Sequence, residues 1–113
     1  MFYAGGYDAA IPPVDFRFED TVTDGEIAGL PTLFAPVVGY ANPLFIVTGV
    51  QDALLCAVPY ASCNSLLAAS GQLFPNVTQF EYTAIPNTGH DLNLHYSAPV
   101  TFARVHLFLG KYL

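Results

Sequence analysis

At 113 residues the chain has room for one domain with a modest core, and its composition is lopsided: 53% hydrophobic, 11% charged, net charge -6. The basic residues Arg17, Arg104 and Lys111 are scattered, so there is no basic face for a phosphate backbone, and nucleic-acid binding is excluded. Globular chains are typically about 25% charged, so part of this apolar surface is expected to meet protein rather than water.

Most of the charge lies in residues 1–26, where Asp8, Asp15, Arg17, Glu19, Asp20, Asp24 and Glu26 follow no sustained period. This stretch reads as loop and short turns, the best solvated part of the chain. Thr23 or Asp24 is placed to cap a brief helix running through Leu30, where Pro31 stops it. The opening residues lack a basic region followed by an apolar core, so no secretory leader is expected there.

Ile27 to Gln51 carries no charge and is long enough to cross a bilayer, but Pro31, Pro36 and Pro43 interrupt it and Gly39 and Asn42 weaken it. No membrane span is expected. Residues 31–42 are too punctuated for a long helix and too apolar for a free linker, so packing against something larger is their expected fate. Leu44-Phe45-Ile46-Val47-Thr48, bounded by Asn42-Pro43 and Gly49, has the continuous apolar character of a strand covered on both faces.

Beyond Asp52 the sequence turns to Ala, Leu, Ser and Cys. A helix from Ala61 or Ser62 to Gly71, with Ser62 as cap, is the simplest account. Cys56 and Cys63 fit either two separate buried thiols or a disulfide. With no CxxC and no clustered histidines to complete a zinc shell, neither a metal nor a cofactor is expected. Asn76-Val77-Thr78 is a glycosylation sequon, which chance also produces, so localisation stays open between secreted and cytoplasmic. Phe80–Ile85 alternates like a strand and ends at Pro86. The order strand, helix, strand predicts a parallel pair with a right-handed crossover. A last helix is predicted over Ala98–Tyr112, capped by Ser97, with Val100, Ala103, Leu107 and Phe108 toward the sheet. Two parallel strands and two helices do not easily cover these faces by themselves.

Two residues carry the chemistry. Asp52 follows the first strand and His90, in Pro86-Asn87-Thr88-Gly89-His90, follows the second. Taken singly, Asp52 fits a turn former and His90 a structural histidine. Taken jointly they read as an acid and a base able to orient and move a proton. Gly89 is expected to let the backbone turn sharply and aim the imidazole. Asp91 is expected to bond backbone at the turn, His95 to pack, lie at the surface or line a pocket, and His106 to be structural.

On these residues the chain resembles the C-terminal part of an α/β-hydrolase, of the kind found in fungal and bacterial ester, amide or peptide hydrolases. Asp52, after Ile46-Val47-Thr48-Gly49-Val50-Gln51, is similar to that family's triad acid after the penultimate core strand. His90, in Asn87-Thr88-Gly89-His90-Asp91, is similar to its base after the last one, and the chain order of acid before base agrees. The resemblance covers residues 43–112. It implies an α/β fold of parallel strands with a crossover helix and a C-terminal helix, residues 43–113 belonging to the core and residues 1–42 to the end of a lid region and its return. The chain has no Gly-x-Ser-x-Gly elbow and no oxyanion motif. The resemblance therefore implies the acid and base portion of a serine hydrolase. Its partner is then the upstream part of the same hydrolase or another protein, and its substrate a small molecule or peptide. The alternative is a non-catalytic relic or small interaction protein.

Overall fold

The computed structural model describes residues 1–56 and 62–113, with the backbone alone for residues 33 and 34. Its centre is a pair of six-residue strands, β1 (Leu44–Gly49) and β2 (Phe80–Ile85), parallel and in register from Leu44 opposite Phe80 to Gly49 opposite Ile85. Such a pair needs a crossover connection. Here that connection contains a helix at Cys63–Ser70, continued by a 3₁₀ turn over Gly71–Leu73. Ser62 occupies its N-cap position; the alternative start at Ala61 lies outside the described residues.

The pleat sends alternate side chains to opposite faces, and two helices exploit this. Ile46 and Ala84 pack on the crossover helix through buried Cys56, Cys63 and Leu67. Phe45 points the other way and stacks on Phe108 of the C-terminal helix, Ala98–Tyr112, with ring centroids 5.2 Å apart. The result is a small mixed α/β layering, helix on sheet on helix, with a two-stranded parallel sheet. Among the described residues no helix is long and apolar enough to cross a membrane.

Three local expectations are corrected. Residues 1–26 are not only loops and turns, because Ile11–Phe18 is helical. Pro12 and Pro13 fall in its first turn, where a missing N–H costs nothing, and the Asp8 carboxylate accepts the Ala10 N–H at 2.9 Å just before it. With that helix numbered α1, Asp24–Gly29 is α2, the crossover helix α3 and the C-terminal helix α4. Thr23 caps α2 through a reciprocal box with Glu26, and Pro31 lies in the following 3₁₀ turn over Leu30–Phe34.

The second correction concerns Ser97, which sits at the N-cap of α4 without a side-chain capping bond. Its hydroxyl lies 2.6 Å from the Thr88 hydroxyl. Thr88 gives its own proton to the Pro86 carbonyl at 2.8 Å, so Ser97 donates to Thr88. The third concerns the face of α4. Phe108 meets the sheet as expected, but its companions are Ala98, Thr101, Val105 and Tyr112, while Val100, Ala103 and Leu107 face outward. The inward set keeps the three- and four-residue spacing of one helix face. The outward set keeps the same spacing one face away, so α4 is apolar on two sides and the sequence pattern does not choose between them.

Residues 35–42, part of the stretch expected to pack against something larger, are exposed along their length in this chain. Val37 donates its N–H to the Leu73 carbonyl at 2.7 Å, and the Asn76 amide donates to the Val38 carbonyl at 2.7 Å. At the far end of α4, Lys111 and the Tyr112 hydroxyl both donate to Glu81 on β2, and the Lys111 bond first holds the Glu81 carboxyl below its ordinary value.

Candidate active site

Because β1 and β2 run in register, the loops that follow them leave the same end of the sheet side by side. That carboxyl end is where α/β sheets place their ligands. Gly49 makes the close approach feasible, since a Cβ there would overlap the backbone of Thr88 and Gly89. The two loops are then stitched in both directions. Gln51 donates its N–H to the Thr88 carbonyl at 3.0 Å, and its side-chain oxygen accepts the Thr88 N–H at 3.0 Å.

This stitching brings Asp52 and His90, 38 residues apart in sequence, into direct contact: the His90 Nδ1 lies 2.8 Å from the Asp52 Oδ2. Asp52 is 0% exposed and all its lone-pair directions are served. The same Oδ2 accepts the Thr48 hydroxyl at 2.5 Å, while Oδ1 accepts the Leu54 and Leu55 N–H groups at 2.8 and 3.0 Å. Burial works to raise its pKa, but the Thr48 hydroxyl, the Leu55 N–H and His90 together hold the carboxyl below its ordinary value. An ionised carboxylate can only accept, so His90 carries its proton on Nδ1.

His90 differs from its partner. Its side chain is 36% exposed, and its Nε2 has no hydrogen-bond partner among the described residues. It lies on a shallow cavity of about 410 Å³ lined by residues 90–94. A larger groove of about 640 Å³, lined by Tyr40, Pro43, Phe45, Val105, Phe108 and Tyr112, opens at the other end of β1, away from Asp52 and His90. Of these two, the smaller cavity carries the His90 imidazole, whereas the larger is lined by no group able to move a proton at neutral pH.

Cys56 and Cys63 are joined in a disulfide. Both are buried, and the Cys56 N–H donates to the Asp52 carbonyl at 3.0 Å, so the bridge fastens the acid's loop to the start of α3. Closing a loop of this length is worth about 2–3 kcal/mol on the chain-entropy relation. Asn76 is exposed on the turn before β2. Among the described residues no group of three His, Cys, Asp or Glu side chains gathers around a common point.

The backbone around His90 is built differently from expectation. The positive φ that turns the chain after β2 is at Asn87, 55°, and not at Gly89. Asn tolerates this region better than most residues. Gly89 serves close approach instead, since a Cβ there would overlap the Met1 carbonyl that accepts the His90 N–H at 2.7 Å. Asp91 contributes its backbone carbonyl, which accepts from Leu94 and from His95, while its Oδ2 is buried without a partner. His106 is on the exposed side of α4.

Thr48, Gln51, Thr88 and His95 support this arrangement, and sequence reasoning gave none of the first three a role. A signal existed for Thr48, a hydroxyl inside an apolar strand, four residues before an aspartate. No family model, no curated protein and no solved structure matches the chain.

Proposed function

We propose that Asp52 and His90 are the acid and base of a serine hydrolase acting on an ester, amide or peptide bond, with the nucleophile supplied by polypeptide outside these 113 residues. The observation that carries this reading is the asymmetry of the His90 ring: Nδ1 is tied to a buried carboxylate while Nε2 is unpartnered on an accessible surface. The resemblance to α/β-hydrolases supports the same roles.

In this reading a serine hydroxyl attacks the acyl carbon and passes its proton to His90 Nε2 as the C–O bond forms. The carbonyl π electrons move onto the oxygen, which needs donors that also come from outside this sequence. Asp52 remains ionised and stabilises the imidazolium. The imidazolium then protonates the leaving group as its bond to the acyl carbon breaks, and water repeats the cycle to release the acid. The reading assigns no step to a metal or cofactor.

A second reading, a non-catalytic interaction protein, is favoured by the apolar side chains exposed on α1 and α4. One experiment separates them. The natural polypeptide carrying these residues is isolated and treated with a fluorophosphonate, which labels activated serines. Labelling of a serine outside this sequence, lost in His90→Ala, with Asp52→Asn reducing turnover about 10⁴-fold, is the expected result. A natural polypeptide of 12.2 kDa that takes no label favours the interaction protein, and full turnover in either variant overturns the assignment.

A further inference from the structure

We propose that His95 is a positioning residue for His90, acting as a neutral hydrogen-bond acceptor that locks the Gly89 amide and the N-terminal segment Met1–Tyr3 around the base. The inference rests on the proton-transfer reading of Asp52 and His90 for its meaning, although its geometry does not depend on it.

His95 is 4% exposed. Its Nδ1 lies 2.7 Å from the Asp91 carbonyl oxygen, which can only accept, so the ring proton is on Nδ1. Nε2 therefore presents a lone pair, and two backbone N–H groups converge on it, Tyr3 at 3.0 Å and Gly89 at 3.0 Å. Each donor belongs to a segment that touches His90. Gly89 precedes it in the chain, and Tyr3 lies two residues from Met1, whose carbonyl accepts the His90 N–H at 2.7 Å.

The contacts close a circuit from His95 to Gly89, His90, Met1, Tyr3 and back to His95. His90 is held in it by its backbone alone, which leaves the imidazole free to bind Asp52. The space around the circuit is filled. Phe2 stacks on the His95 ring at 5.9 Å and Tyr7 meets it edge-on at 5.9 Å. A Cβ on Gly6 would stand 2.6 Å from the Asn87 carbonyl oxygen and 3.1 Å from the His95 ring. A ring with only a packing role needs neither the fixed tautomer nor the double acceptance, and an unpaired buried N–H is costly.

The test uses imidazole and amide NMR on the full 113-residue chain in dilute solution. His95→Phe keeps an aromatic ring against Phe2 and Tyr7 but removes the acceptor, whereas His95→Gln restores an acceptor near the Nε2 position. In His95→Phe the Gly89 and Tyr3 amides are expected to lose protection by about tenfold or more, the loss of one hydrogen bond. The His90 Nδ1 proton, held by the Asp52 carboxylate, is expected to broaden away, with the Ile46 and Ala84 amides unchanged. His95→Gln is expected to recover the His90 signal.

A His95→Phe protein with an unaltered His90 Nδ1 proton overturns the proposal. If that variant unfolds, His95→Gln decides: a native His90 signal supports the acceptor role, and a lost signal on an intact sheet overturns it. The readout contains no substrate, so failure of the hydrolase reading would appear in the labelling experiment and leave this result unchanged.

Discussion

Asp52 is surrounded by donors, two on each oxygen, and this is why a fully buried carboxylate stays ionised. Its pKa is depressed in the folded state, so the unfolded chain binds more protons over the acid range. The stability it contributes is fully present above the ordinary aspartate value, about pH 4, and is lost as pH falls through the folded value. Urea midpoints measured from pH 6 down to pH 2 should therefore fall more steeply below about pH 4 in the wild-type chain than in Asp52→Asn. Equal slopes would show that the carboxylate is not held as described. At the same scale, Gly49 and Gly89 act by what their missing Cβ atoms admit, the neighbouring loop in one case and the Met1 carbonyl in the other.

Among the elements, α4 carries the clearest lesson. It has two apolar faces at helical spacing, and only the one bearing Phe108 is used by the sheet. Phe108→Ala should cost about 2 kcal/mol, less than a fully buried aromatic because the ring is half-buried. Leu107, 67% exposed, should tolerate Ala within about 0.5 kcal/mol. Chemical denaturation of the two variants checks the assignment, and a reversed order would place the other face inward. The described part of the loop after β1, residues 50–56, is a second example of placement by a tertiary contact, since the Cys56–Cys63 bridge fastens it to α3.

For the whole molecule the balance of burial is unusual. Among the described residues the buried apolar set is small, Cys56, Cys63, Leu67, Ile85 and Ala98, while Phe16, Phe18, Val100, Phe102 and Leu107 are exposed. The Cα radius of gyration is 15.4 Å, against about 13 Å for a compact domain of this size. Both edges of the two-stranded sheet lack a further strand among the described residues, and parallel sheets are stable when flanked and covered. The isolated 113-residue chain should therefore self-associate: sedimentation equilibrium should give an average mass above 12.2 kDa that rises with concentration. A constant 12.2 kDa across the accessible range would show that water tolerates these faces.

Sequence alone determined what local chemistry can determine. The strand at Leu44, bounded by Pro43 and Gly49, the strand at Phe80 ended by Pro86, and the brief helix capped near Thr23 or Asp24 follow from branching, proline and capping rules that act within a few residues. It also singled out Asp52 and His90, because a carboxylate and an imidazole after two apolar strands stand out in a chain with so little charge. What it did not reach depends on pairs distant along the chain. The inward face of α4 was decided by Phe45, Asp52 met His90 through Gln51 and Thr88, and the acceptor role of His95 was set by Tyr3, 92 residues away. Periodicity marks a helix face as apolar, but only tertiary packing chooses which of two such faces is buried. A histidine's tautomer, likewise, is fixed by the donors and acceptors that the folded chain brings to its two nitrogens.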